Sequence, residues 1–126
     1  MNTNQEKLTE IGAMELVKHA IDSTDTAPKG MSWIDYWESK TKCNTPSVCP
    51  CCGKHFTDKN PIVGAHVVKI AEINIVGRKL YITPTCKKCN DTYKGKNAYK
   101  AFIVPLLHLC EIGDQDIKPS LKYPNR

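Results

Sequence analysis

The sequence lacks any long hydrophobic run: nowhere does it reach the ~18 consecutive apolar residues that a bilayer-spanning helix needs. No membrane span, and no membrane partner, is expected. The amino terminus lacks an apolar stretch too, since Met1-Asn2-Thr3-Asn4-Gln5-Glu6-Lys7 is polar and runs into charged residues. The pattern of a secretory signal is therefore missing, and a cytoplasmic location is expected. There is no low-complexity segment and no internal repeat beyond two cysteine turns. Aromatic residues are scarce at 7%, within a hydrophobic fraction of 40% over 126 residues. A chain of this size buries about two-thirds of its unfolded surface, so its core is modest and bound metal is a common supplement. It is long enough for one compact domain, or for a small core with appendages.

Acidic residues are the next shortage, and it is local. Residues 49–104 hold ten Lys/Arg against Asp58, Glu72 and Asp91, a net of +7. Residues 1–48 carry five Lys/Arg and seven Asp/Glu, and residues 105–126 carry three of each sign. The total of +5 thus comes from the middle of the chain, where most of the cysteines also lie. Such an excess favours a polyanionic partner, of which nucleic acid is the commonest, although a solvated lysine-rich surface explains it as well.

The chain holds seven cysteines. In a reducing cytoplasm their pattern points to metal rather than to disulfides. Four of them form two C-x-x-C turns, Cys49-Pro50-Cys51-Cys52-Gly53-Lys54 and Cys86-Lys87-Lys88-Cys89, with 33 residues between Cys52 and Cys86. Two thiolates three residues apart at a tight turn can face one ion, and two such turns supply a tetrahedral all-sulfur set, which predicts a structural Zn²⁺ on Cys49, Cys52, Cys86 and Cys89. Proline sets the entry of the first turn, and glycine permits the positive φ that lets amides approach the sulfurs. Cys51 could compete with Cys49 or Cys52, but the regular spacing favours those two. Cys43 and Cys110 stand alone and read as plain thiols.

Helical spacing of Leu8, Ile11, Met14, Leu16 or Val17, and Ile21 predicts an amphipathic helix from Gln5 to Ile21. Ser23 to Gly30 reads as a loop. Ser32 then caps a short helix, Trp33 to Glu38, with Asp35 three residues on. Trp33 and Trp37 lie one turn apart; core packing is the ordinary reading, with base stacking or a protein-docking surface on the N-terminal helices as alternatives. Ile62 to Ile70 predicts a strand, and Ile73 to Thr83 a second extended stretch broken by a turn at Gly77-Arg78 and closed by Pro84. A helix is expected from Asn90 or Asp91 to about Val104, with Gly95 its weak point. Pro105 ends it, and Leu106 to Ile112 reads as a short helix or strand. From Gly113 the tail looks irregular. The organisation is therefore an N-terminal helical segment (1–45), a zinc-binding core (46–104) and a short element with a tail (105–126). The fold class is α+β, a small zinc-stabilised ββα core with flanking N-terminal helices.

The run Cys49-x-x-Cys52, Gly64-Ala65-His66-Val67-Val68, Leu80-Tyr81-Ile82-Thr83-Pro84-Thr85-Cys86-x-x-Cys89-Asn90 and Tyr93-Lys94-Gly95-Lys96 resembles the zinc-containing HNH endonucleases, the His-Me-finger or ββα-metal nucleases of treble-clef type. The resemblance covers about residues 46–104. It implies a metal-dependent hydrolase of phosphodiester bonds acting on double-stranded DNA. His66 would be the general base and Asn90 a ligand of a catalytic Mg²⁺ or Mn²⁺, with Lys94 and Lys96 as phosphate contacts. Imidazole, with a pKa of about 6.5, suits deprotonation of water near neutral pH; the larger demand, stabilising charge on phosphate oxygens, falls to a hard cation. A closed four-cysteine zinc site has no open position and would only hold the fold.

Two positions depart from the family. Ala65 stands where many members have a metal-binding Asp, and Tyr81 stands near the place of an Asn that orients the base, Asn74 being too early. The implied enzyme could therefore be a degenerate member: a catalytically silent module that binds nucleic acid through Lys54, Lys69, Arg78, Lys79, Lys87, Lys88, Lys94 and Lys96. Asp91, Asp58, His55 and Asn97 are the candidates to complete a cation site. The ordinary reading of His66 is a strand histidine bonded to a backbone carbonyl, and helix capping alone explains Asn90. His55 could also replace a cysteine on zinc, whereas His19 and His108 read as packing or surface residues.

Overall fold

The computed structural model describes residues 12–21 and 27–113. Five strands, β1 (Met14–His19), β2 (Ile62–Lys69), β3 (Tyr81–Cys86), β4 (Ala101–Pro105) and β5 (Cys110–Glu111), form one sheet in the order β4-β1-β2-β3-β5. Every neighbouring pair is antiparallel. Two helices matter for the site: α1 (Trp33–Thr41) and the short α2 (Lys87–Thr92). The sheet draws strands from all three of the sequence segments 1–45, 46–104 and 105–126. No helix among the described residues is long and apolar enough to cross a membrane.

Alternation along β2 and β3 sorts the side chains onto two faces. On one face α1 lays Trp33, Tyr36 and Trp37 over Val68, Leu80 and Ile82. On the other, Ala65, Val67 and Tyr81 pack with Cys49, Cys51, Cys86 and Cys89, joined by Val17, Phe102 and Val104 from β1 and β4. α1 starts as its sequence predicts, with the Ser32 side chain accepting a hydrogen bond from the Asp35 N–H at 3.2 Å. It ends at Lys42, whose φ of 60° is left-handed. Gly64 lets α1 sit close: a Cβ there would come within 2.6 Å of the Trp33 carbonyl carbon.

The structure corrects three of the predicted elements. Residues 14–19 of the expected first helix form β1; Gln5 to Ile11 of that prediction lie outside the described residues. Met14, Val17 and Ile21 fit a helical stripe, but Val17 and His19 also fit a strand's alternation. Pairing of β1 with both β2 and β4 decides for the strand, a tertiary override of local preference. The expected helix from Asn90 to Val104 is instead α2, a 3-10 turn at Gly95–Asn97, and β4. Gly95 takes φ 57°, which ends helical propagation, and the Ala101–Pro105 run alternates exposed and buried as a sheet strand does.

The expected strand from Ile73 also retracts. Turns run from Ile70 to Arg78, with positive φ at Gly77, and β3 begins only at Tyr81. Pro84 does not close that strand but sits inside it, opposite Gly64. β5 reaches only Tyr81 and Ile82, so beyond them β3 is an edge, where a residue without an N–H is tolerated. Leu106–His108 is a 3-10 turn before β5, and Pro105 is the last residue of β4. The tail after Gly113 lies outside the described residues.

Candidate metal centre

The first cysteine turn is closed by two backbone bonds, Gly53 N–H to Cys49 C=O at 2.7 Å and Cys49 N–H to Lys54 C=O at 2.9 Å. Gly53 adopts φ 76°, the left-handed conformation for which glycine was expected at this position. The second turn spans the end of β3 and the start of α2, so the hairpin carries its two cysteines to the first pair. Lys87 N–H donates to Pro61 C=O at 2.9 Å and Lys88 N–H to the Asn60 Oδ1 at 2.8 Å, which fastens α2 to the segment before β2. The ligand atoms of Cys49, Cys52, Cys86 and Cys89 all lie within 4.8 Å of one another.

Zn–S bonds of about 2.3 Å imply tetrahedral S···S edges of about 3.8 Å. The Cys52 and Cys86 sulfurs stand 3.9 Å apart. Backbone amides point at the sulfurs as well: Cys51 and Cys86 N–H donate to Cys49 Sγ at 3.4 and 3.3 Å, and Cys89 N–H to Cys86 Sγ at 3.4 Å. Such donors stabilise thiolate. Four cysteines thus form a cluster that can hold a metal ion, and the donor set fits a soft divalent one. Cys51 is buried beside the cluster but is not part of the four-thiol set, as the regular spacing predicts. His55 is exposed and also lies outside it.

The thiols differ in acidity. Burial pushes Cys49 up. Burial opposes ionisation of Cys86 too, but hydrogen bonding from the Cys89 amide, then from the Asn60, Cys89 and Cys49 side chains, brings it down to about 7. Cys89 is pushed far up by burial, then by its neighbours Cys86 and Cys51. Cys86 is thus the more readily ionised of these three, and a bound cation would favour the thiolate at Cys49 and Cys89 as well.

His66 lies on the α1 face of the sheet, whereas Asn90 directly follows Cys89, which packs on the other face. Ala65 and Val67 face the cysteine cluster, so His66 between them turns to the α1 face, where its ring meets Trp33 edge-on at 4.7 Å. It is 6% exposed. Asn90 is half-buried in α2, whose Cys89 packs in the cysteine cluster. The candidate companions of Asn90 are dispersed. Asp91 pairs with Lys87 at 2.6 Å, Asp58 is exposed on a turn, and Asn97 is exposed on the 3-10 turn. At the place of the family's Asn, the Tyr81 hydroxyl donates to Glu72 at 3.2 Å, and burial, then the Glu72 charge, raises its pKa. Asn74 is exposed in the turns before β3.

Of the eight basic residues named for nucleic acid, four stand exposed with no ion pair among the described residues: Lys54, Lys88, Lys94 and Lys96. Lys79 pairs with Glu111 at 3.0 Å, and Lys69 Nζ lies over the Tyr81 ring at 4.9 Å. Arg78 is a correction: it is buried, donating to the Ile73 C=O at 3.1 Å, and clamps the turns before β3 rather than facing solvent. The Trp33 and Trp37 pair is core, at 5% and 0% exposure, which removes it as a stacking or docking surface. Trp37 Nε1–H donates to the His108 C=O at 2.7 Å, and the His108 ring packs edge-on to it at 5.5 Å.

Sequence reasoning missed two residues beside the second cysteine turn. Asn60 acts through the second cysteine turn, and Lys59 lines a shallow cleft with Asn60, Lys87, Lys88, Asp91 and Thr92. Tyr99, in the segment expected to be helical, is 72% exposed. Comparison of the chain with protein-family models, with curated proteins and with solved structures returned no match.

Proposed function

We propose that this chain is a zinc-stabilised nucleic-acid-binding module whose metal orders a cationic surface. The observation that carries the reading is that the lysines belong to the metal turns themselves. Lys54 closes the first turn, and Lys87 and Lys88 lie between the two cysteines of the second. The order of turn, hairpin, turn and helix is that of a treble clef, and four thiols with no open position suit zinc as a structural ion. The zinc fixes where these cations stand, and phosphates neutralised by them release counterions.

Fluorescence anisotropy with a labelled DNA duplex, repeated across a salt series, tests this. Affinity is expected to fall steeply with salt, Lys88→Ala to reduce the log–log slope by about 1, and zinc removal to abolish binding. Binding that ignores salt, or no binding to any nucleic acid at low salt, overturns it.

A second reading, HNH-type hydrolysis of DNA with His66 as base and a Mg²⁺ or Mn²⁺ at Asn90, has one observation in its favour. His66 lies on the first hairpin strand and Asn90 directly follows the fourth cysteine, the family's order. Against it, the imidazole is packed on Trp33, on the face away from Cys89. Nicking of plasmid DNA with Mn²⁺ that disappears in His66→Ala would establish hydrolysis; no nicking with either cation leaves binding alone.

A further inference from the structure

The segment after α2 carries an aromatic group that the core does not bury. Tyr99 is 72% exposed, and its neighbour Tyr93 meets it edge-on at 6.1 Å with the ring planes 87° apart. Tyr93 is half-buried and has Lys100 Nζ over its ring at 5.2 Å, so it is already engaged. The Tyr99 ring is the one left to solvent.

Its backbone is held. Asn97 N–H donates to Lys94 C=O at 3.0 Å and Ala98 N–H to Gly95 C=O at 3.1 Å, closing the 3-10 turn. Ala98 is buried at 5%, and β4 begins two residues after Tyr99, so the ring is carried between two anchored points. Lys94 and Lys96 are exposed before it, and Lys100 follows it. From Thr92 to Cys110 the chain has no carboxylate, and Asp91 is paired with Lys87.

An exposed aromatic ring set among cations is how sequence-tolerant readers of single strands work: the ring stacks on a base and the cations follow the backbone. A duplex keeps its bases stacked on one another and offers no such face. We propose that Tyr99 is a stacking platform for an unpaired base of single-stranded nucleic acid, with Lys94, Lys96 and Lys100 meeting the adjacent phosphates. This rests on the nucleic-acid reading above and narrows its ligand. Tyrosine suits the task because its large face is ordered at the cost of only two side-chain torsions.

The test uses the full chain loaded with zinc and fluorescein-labelled oligonucleotides of about 15 nucleotides, as single-stranded DNA, single-stranded RNA and a DNA duplex. Tyr99→Ala is expected to weaken single-strand binding about tenfold and to leave duplex binding within about twofold. Tyr99→Trp is expected to restore or tighten it, which a merely structural residue would not do. Lys96→Ala is expected to lower the salt slope for every ligand. The ratio of DNA to RNA affinity says which strand is preferred, and either preference supports the platform. If Tyr99→Ala binds single strands as wild type does, or loses duplex and single strand equally, the platform is overturned while the lysine surface stands. If wild type binds no nucleic acid, both fail together.

Discussion

The two faces of the sheet are held by different physics. The α1 face is an ordinary apolar core: Trp37 is fully buried, Trp33 and Tyr36 meet edge-on at 5.1 Å, and Leu80 and Ile82 lie beneath them. The opposite face has Val17, Val67, Phe102 and Val104, but its centre is occupied by thiols. Cysteine contributes little buried area, and several thiolates together repel one another unless a cation is present. One face is thus closed by excluding water, and the other gathers four thiols that can hold a metal ion. On the second face the cysteine turns also keep Lys54, Lys87 and Lys88 at the surface.

The largest effect should come from removing the ion. Structural zinc in small domains binds with ~10–16 kcal/mol, comparable with the ~5–15 kcal/mol stability of a whole domain. A zinc-specific chelator, or Cys86→Ser, is expected to abolish the cooperative thermal transition followed by circular dichroism. An unchanged melting curve would mean that the two faces are alike after all. On the α1 face, Trp37→Ala removes a fully buried indole and its bond to His108, and should cost ~3–5 kcal/mol in urea unfolding while leaving the zinc content at one per chain.

Acid separates the faces in a third way. His19, on β1, is 2% exposed, stacked near Tyr93 and Phe102, and neither ring nitrogen has a hydrogen-bond partner among the described residues. Burial lowers its pKa from 6.5 to about 4, so the unfolded chain takes the proton first. The stability that rests on neutral His19 is whole above pH ~6.5 and falls as the pH drops towards 4, by about 3 kcal/mol at that point. His19→Leu should flatten that part of the stability profile relative to wild type; parallel curves for the two proteins would refute it. Smallest of all, Ser32→Ala removes the cap of α1 and is expected to cost ~1 kcal/mol.

Local chemistry made the metal turns and α1 legible. The C-x-x-C spacing and Gly53 specify a turn whatever surrounds it, and Ser32 with a Trp33–Trp37 spacing specifies a capped helix with one apolar side. The strand β2 was equally visible in its β-branched residues. What could not be read was the fate of segments whose pattern fits two periods. Met14 to His19 and Ala101 to Pro105 carry apolar residues compatible with helix or strand, and only their pairing with each other and with β2 chose the strand. The site shows the same limit. The four thiols were identifiable because spacing alone nearly forces them together. The side of the sheet on which His66 falls depends on the phase of β2 against β3 and on where α1 packs.

By itself, then, the sequence determined the cysteine set, the charge that accompanies it and the capped helix, since these follow from contacts within a few residues along the chain. The tertiary structure decided that β1 and β4 are strands, that Arg78 is a clamp rather than a cation for a partner, and that His66 and the cysteines occupy opposite faces. Those outcomes come from pairing and burial between residues far apart in the chain, where a one-residue change of register would exchange one face for the other.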